Sequence, residues 1–398
     1  MGLLVCNSRR MGDCQVATAG ADPLRHNGGI HMNQESERSG LLVDQLEIEN
    51  FRLYKHLLFE RFGRANLIVG KNNTGKTSLL EALRILASMA SPYVLWDIIS
   101  SRDEIAQAFG RAVTRKADQY GLMNLYSRSS AQEASLIIRT RGRTLTVEFV
   151  WYREISEGEQ GYRIERVLDP AEDDLVNLRA VLEVRDAESV IRRVFLNRRY
   201  VRGRSEPLGS ECECVYVSSA GVSAPEIARL WDKVTLTPLE AEVTSSLAMI
   251  YPGLERISLA AGEDERTRIA RAKLGNSDYP VPLKSLGEGV NRIFGIVLGL
   301  VSARNGLLLI DEVENGIHYS VQPQLWRFLI ETSQRLGVQV FATTHSSDAI
   351  RAFTWANSKS GRTDGTLTRL EERNGRIEVH QFDGSDLNIA STEAIEVR

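Results

Sequence analysis

The sequence predicts an α/β fold built on a parallel sheet, and three observations carry that expectation. First, the buried-strand runs "NLIVG", "GLLLIDE" and "VQVFATTH" alternate with stretches of helical spacing such as "SVQPQLWRFLIETSQRLG". Parallel strands need such crossovers, so the alternation points to a parallel sheet covered by helices. Second, "NLIVG" runs into the Gly-rich "GKNNTGKT" at 70–77 and then into "SLLEALRILASMA", which is the strand, loop and helix order of a phosphate-binding loop. Third, "LLLIDE" ends in Asp311 and Glu312, acids at the C-terminal end of a strand, where open α/β sheets bind ligands.

Residues 1–40 carry Gly, Ser, Asn and scattered charge without periodicity and read as an unfolded leader, with Met32 as a plausible true start. The leader has neither the basic lead and long apolar run of a secretory signal nor the Ser or Thr needed for myristoylation, since Cys6 stands there. Residues 41–168 read as the first part of the nucleotide domain: alternation in "VDQLEIENF", the phosphate loop, and a hairpin over about 136–152 with Arg-Gly at its turn. Residues 169–278 are expected to be a mainly helical insertion. "AEDDLVNLRAVLEVRDAESVIRRVFLNRR" at 171–199, "SAPEIARLWDKVTL" and "PLEAEVTSSLAMIYPGLERI" all show helical patterns. Residues 279–355 return to the nucleotide domain, and 356–398 hold a hairpin around "ERNGRI" and a tail.

Composition sets the outer limits. With 398 residues the chain can bury a large core. No apolar run approaches the roughly 20 residues of a membrane span, so the expectation is a soluble cytoplasmic protein without a membrane partner. A net charge of -3 gives no chain-wide attraction for a polyanion. Four cysteines, Cys6, Cys14, Cys212 and Cys214, are too few and too unevenly placed for a disulfide framework, and they lack zinc spacing.

The phosphate loop supplies the first set of site candidates: Gly70, Asn72, Asn73, Thr74, Gly75, Lys76, Thr77 and Ser78. Backbone N–H groups would cradle phosphates, Lys76 would reach the β/γ-phosphates, and the Thr77 hydroxyl would go to Mg²⁺. Gly70 and Gly75 supply unusual dihedrals, and Asn73 is a residue that tolerates positive φ. Asp311 is the expected second Mg²⁺ holder, and Glu312 is placed to accept a proton from an attacking water. His345 ends the next strand and should reach the same sheet edge. Its alternative is a structural histidine. "SLGEG" at 285–289 heads a helical run whose free N–H groups suit an anion; alternatively, Ser285 merely caps that helix.

These motifs together resemble the ABC-type ATPase heads of the RecF/SMC and OLD (overcoming lysogenization defect) group. The resemblance is carried by "IENFR", "GKNNTGKTSLLEAL", "SLGEG", "LLLIDEVENGIHYSVQPQLW" and "VQVFATTHSSDAI" and covers about 41–353. It implies a P-loop NTPase with an ABC-ATPase-like mixed sheet, an N-terminal β lobe and a mainly α-helical insertion. It also implies ATP and Mg²⁺ as ligands, ATP hydrolysis, and a homodimer that sandwiches nucleotide. Ser285 and Gly287 match the signature that would touch the partner's nucleotide, Glu314, Asn315 and Gly316 match the D-loop region, and His345 matches the switch histidine. Leu286 stands where the usual signature has Gly. Gln119 and Gln132 are both candidates for the Q-loop glutamine.

The absence of long heptads and of a Cys-x-x-Cys hook argues against the coiled-coil branch. Only some 45 residues follow Phe353, too few for a TOPRIM nuclease domain, so the resemblance is to a stand-alone OLD-like head whose effector, a nuclease for instance, is another polypeptide. Such a head would serve nucleic-acid-directed or antiviral-defence work. The alternatives are an ATP-gated binding scaffold and a DNA-binding repair protein with little turnover. DNA contact would fall to Arg192, Arg193, Arg198, Arg199, Arg202 and Arg204, interleaved with Phe195 and Tyr200, or to "RTRGR" at 139–143. A solvated face offset by neighbouring acids is the competing account of these arginines.

Overall fold

The computed structural model describes residues 40–104, 122, 124–127, 135–156, 162–167, 178–195, 212–262, 267–360, 365–384 and 386–387. Gly40–Arg398 forms one compact unit. Its first elements are β1 (Leu46–Phe51), β2 (Tyr54–Phe59) and β3 (Ala65–Gly70), followed by α1 (Lys76–Ala87) and α2 (Pro92–Ser100). Then come β4 (Ser135–Thr140), β5 (Arg143–Ser156), β6 (Tyr162–Val167), β7 (Leu178–Asp186), β8 (Ser189–Phe195) and β9 (Cys214–Val217). Helices α3 (Ala224–Val234) and α4 (Pro238–Ile250) lead to β10 (Leu254–Ala261), β11 (Arg268–Leu274) and β12 (Val281–Pro282). The remainder is α5 (Glu288–Ser302), β13 (Leu307–Ile310), α6 (Gln322–Leu336), β14 (Gln339–Thr344), α7 (Ser347–Lys359), β15 (Gly365–Arg373) and β16 (Arg376–Phe382).

The strands make three sheets. The core sheet runs β16-β15-β3-β14-β13-β9, parallel throughout except for the β15–β16 hairpin. A seven-stranded antiparallel sheet runs β2-β1-β4-β5-β7-β8 with β6 on β5, and a small sheet runs β10-β11-β12. In β1 the alternation predicted from "LEIENF" holds: Leu46 and Ile48 are buried while Glu47 and Glu49 face outward.

Helix α1 is the wedge between the two large sheets. Its Leu79, Leu80 and Leu83 share one apolar cluster with Leu46 and Ile48 of β1, Ile138 of β4, and Leu307, Leu309 and Phe341 of the core sheet. The opposite face of the core sheet, with Leu67, Val69, Leu308, Ile310 and Val340, packs against helices α3–α7 in a second cluster. A parallel sheet covered on both faces explains why its strands read as unbroken apolar runs rather than as alternation.

The expected helical character of 171–199 is corrected by the structure: 178–195 is the hairpin β7–β8, turning at Ala187, whose φ is 50°. Charged residues of this stretch are instead neighbours across the strands. Glu183 faces Arg193 in the ladder, and their side chains are 3.2 Å apart. Among the described residues of 169–278 there are five strands and two helices, so the described part of the stretch is not mainly helical. The helices expected in "SAPEIARLWDKVTL" and "PLEAEVTSSLAMIYPGLERI" do form, as α3 and α4. Strand β9, which the sequence reading missed, is part of the core sheet itself, beside β13.

Leu309 has no exposed surface, and it joins the core sheet to the α1 wedge. Leu309→Ala is expected to cost about 2–5 kcal/mol, read as a lowered midpoint in denaturant unfolding.

Candidate functional site

The C-terminal ends of β3, β13 and β14 lie side by side, because β14 pairs with both β3 and β13 in parallel register. This edge collects the phosphate loop, Asp311 with Glu312, and His345, as the motif order implied. The loop closes at Gly75, which caps α1 with a φ of 93° and no side-chain hydrogen bond to the helix. The first N–H groups of α1 are therefore free of side-chain caps, the arrangement that binds phosphate oxygens. Glycine is required at Gly75, since a Cβ there would lie 2.6 Å from the Tyr54 ring. Tyr54 in turn donates its hydroxyl proton to the Gly75 carbonyl at 2.6 Å. Asn73 takes the left-handed conformation expected of it, with a φ of 65°.

Lys76 is buried and donates to the carbonyls of Gly70 and Lys71, each at 2.8 Å. Burial lowers its pKa, while Asp311, Glu312 and Glu314 act in the opposite direction. Asn72 and Asn73 are exposed on the loop, and Thr74 donates its hydroxyl proton to the Lys71 carbonyl at 2.9 Å. Ser78 is buried within α1.

Thr77 Oγ1 lies 3.2 Å from both carboxylate oxygens of Asp311. A second hydroxyl, Thr343 Oγ1, donates to Asp311 Oδ1 at 2.6 Å and accepts from the Glu312 N–H at 2.8 Å. Glu312 has a φ of 50°, a conformation that costs a non-glycine residue about 1–3 kcal/mol. Its carboxylate accepts from Asn315 Nδ2 at 2.6 Å and lies 3.3 Å from His345 Nε2. The His345 N–H donates to Glu314 Oε1 at 2.9 Å, while Glu314 Oε2 is buried without a hydrogen-bond partner.

The Thr77 hydroxyl and the Asp311 carboxylate make a hard, all-oxygen donor pair. Mg²⁺ prefers such donors when substrate phosphates and water complete its shell. Thr77 and Asp311 are the residues that could hold it. Thr343 was not singled out by the sequence reading, and Asn315 was named only as part of the D-loop region. The signal for Thr343 was its place two residues before His345 in "FATTH", which in a strand puts both side chains on one face.

Ser285 lies in the 3₁₀ turn Leu283–Leu286, and the residue that caps α5 is Gly287, with a φ of 112°. Ser285 therefore does not cap the helix. Ser285 and Gly287 are exposed, while Leu286 turns inward against the core, so its side chain leaves their surface clear. Neither shares a hydrogen bond with Lys76, Thr77, Asp311 or Glu312 among the described residues. The turn does approach the D-loop region closely: a Cβ on Gly289 would lie 2.5 Å from the Gly316 carbonyl.

Most of the described arginines of the two clusters pair with acids. Arg139 pairs with Glu47 and Glu49, Arg141 with Asp44, and Arg143 with Asp186. Arg193 meets Glu183 and the Tyr152 hydroxyl, and Glu183 also receives Arg166 and Arg185. Arg192 is half-buried on β8. Arg198, Arg199, Arg202, Arg204, Gln119 and Gln132 lie outside the described residues.

Two family profiles match the chain: "AAA ATPase domain" over 42–128, and an AAA-domain family whose description names the AbiEii toxin and a Type IV TA system over 247–351. The first contains the phosphate loop, and the second contains the signature turn, the acid pair and His345. Both profiles are ATPase-domain families, and together with the phosphate loop and the acid pair they support an ABC-type AAA ATPase domain with the P-loop NTPase fold. The chain is similar to the "ATP/GTP phosphatase" of Helicobacter pylori, 22% identical over 332 residues, which is 78% of this chain and 86% of that one. It is also similar to the "DNA replication and repair protein RecF" of Thermomicrobium roseum, 47% identical over 51 residues, 13% of each chain. Among solved structures, the "SMC head domain from Thermotoga maritima" aligns with a TM-score of 0.43 at 13% identity, over 86% of this chain and 99% of that one. No helix among the described residues is long and apolar enough to cross a membrane.

Thr343→Val removes the hydroxyl that joins Asp311 to the Glu312 backbone. ATP turnover is expected to fall roughly 10–100-fold, with a higher Mg²⁺ requirement, as measured by steady-state hydrolysis across a Mg²⁺ titration.

Proposed function

We propose that the protein is a cytoplasmic, Mg²⁺-dependent ATPase that dimerises around ATP and uses the dimer to regulate a separate effector. The observation that carries this reading is the convergence of Thr77 on Asp311 at 3.2 Å beside a Glu312 carboxylate held by Asn315. In this reading Lys76 leaves the loop carbonyls for the β/γ-phosphates, and the loop amides and the start of α1 bind the remaining phosphate oxygens. Thr77 and Asp311 hold Mg²⁺, which when bound neutralises charge on the phosphates. Glu312 orients the attacking water and takes its proton, and His345 donates a hydrogen bond to the γ-phosphate from the same sheet edge.

The exposure of Ser285 and Gly287, which share no hydrogen bond with the phosphate-loop side chains among the described residues, supports a role in trans. A second subunit would present them to this subunit's nucleotide. An effector that is another polypeptide, such as a nuclease in nucleic-acid or antiviral-defence work, follows from the OLD-like resemblance. A DNA contact at Arg198, Arg199, Arg202 and Arg204 would be marked by salt-dependent binding that is lost when all four become Ala.

Glu312→Gln is expected to keep ATP binding and ATP-dependent dimerisation while turnover falls by about 10²–10⁴-fold. Ser285→Arg should keep ATP binding by the monomer and lose the dimer. Light scattering with and without ATP, beside a phosphate-release assay, reads both. Unchanged hydrolysis in Glu312→Gln would overturn the assignment of the base and favour an ATP-gated scaffold.

A further inference from the structure

The best-connected buried cation of the site is one that neither the motifs nor the proposed chemistry uses. Arg292 lies on α5, a little over one turn past Gly287, and is only 7% exposed. Its guanidinium donates to four main-chain carbonyls. Nη1 reaches Ser218 O at 3.0 Å and Ser219 O at 2.9 Å; Nη2 reaches Asp311 O at 2.8 Å and Glu312 O at 2.7 Å.

Those carbonyls belong to two neighbouring segments. Ser218 and Ser219 follow β9, and Asp311 and Glu312 follow β13, just where the parallel ladder ends. Past its end, carbonyls lose their ladder partners and need another donor. The planar fork of an arginine can serve two pairs of carbonyls at once, whereas a lysine ammonium offers one nitrogen. The positive charge also faces the carboxylates of Glu314, Asp311 and Glu312, which offsets its burial.

We infer that Arg292 is the positioning residue for Glu312: by clamping the carbonyls of Asp311 and Glu312, it holds the left-handed backbone turn from which the Glu312 carboxylate meets Asn315 and His345. The clamp works together with Thr343, which holds the N–H side of the same residue. Asn315 extends it, because its Nδ2 reaches Ser219 O at 3.4 Å as well as the Glu312 carboxylate. Arg292 also ties the acid pair to α5, which follows directly on the exposed turn that carries Ser285 and Gly287. Movement of that turn therefore has a route to Glu312 through Arg292, beside the one through Gly316 and Asn315.

The catalytic part of this inference rests on the reading of Glu312 as the base, and the backbone part does not. The test uses the full chain with Arg292→Lys, which keeps the charge and loses the fork, alongside Arg292→Ala. Fluorescent ATP binding, kcat and KM, and amide hydrogen exchange are measured for each variant. For Arg292→Lys, nucleotide affinity and KM should stay near wild type while kcat falls about 10–100-fold. Faster exchange should be confined to 216–222 and 310–316, with α1 protected as in wild type. Wild-type exchange at 310–316 in Arg292→Lys would overturn the clamp whatever the activity. Loss of nucleotide binding with fast exchange throughout would also overturn it, since that is general unfolding. If the wild-type chain hydrolyses no ATP, the base assignment falls, and the exchange pattern alone decides the clamp.

Discussion

The Asp311 carboxylate, held between the hydroxyls of Thr77 and Thr343, is the interaction around which the site is organised. It joins the first turn of α1, the end of β13 and the end of β14. Each contact depends on parallel register: Ile310 pairs with Ala342 and Val217, so Asp311 leaves the ladder at the level of Thr343. A slip of one residue would turn Asp311 toward the opposite face and bring Glu312 into its place. The two apolar clusters on either side of the sheet set that register, because Leu307 and Leu309 must face α1 while Leu308 and Ile310 face the other helices.

Within this frame the polar groups are placed at some cost. Glu312 sits in a sparsely populated backbone region, and Lys76 and Arg292 are buried cations whose pKa values burial lowers. Strain and desolvation of this kind persist where surrounding structure over-determines them. Here the over-determination is visible as hydrogen bonds at both ends of Glu312, whose N–H donates to Thr343 and whose carbonyl accepts from Arg292. The surface arginines show the opposite economy. Arg139, Arg143 and Arg193 pair with acids on neighbouring strands of the antiparallel sheet and Arg141 with Asp44 beside it, an arrangement that gives each exposed pair little energy and leaves less free charge to attract a polyanion.

How much was legible differed by element. The phosphate loop, the acid strand and the His345 strand were readable because each is local: an apolar run, a glycine pattern, a terminal charge. The C-terminal hairpin was readable from Asn374 and Gly375, both of which take positive φ in the turn. The β7–β8 hairpin was not readable as strand. Its charges fit helical spacing equally well, and only pairing with β5 decides between a strand and a helix of the same composition. Strand β9 was missed because four residues beside two cysteines carry little periodic signal, and its membership in the core sheet is a long-range contact.

The sequence by itself determined the α/β class, the order of strand, loop and helix, and the identity of the phosphate-loop, acid and histidine residues. All of these follow from local propensity and from residue types with few chemical uses. Only the tertiary structure decided which partners those residues have: that Thr343 and Thr77 share Asp311, that Asn315 holds Glu312, and that an arginine on the signature helix clamps the acid pair from behind. Apart from the Asn315–Glu312 contact, which spans three residues, they join residues 19 to 234 positions apart in the chain. No local pattern records them, because they exist only once the sheet has brought its strand ends to one edge.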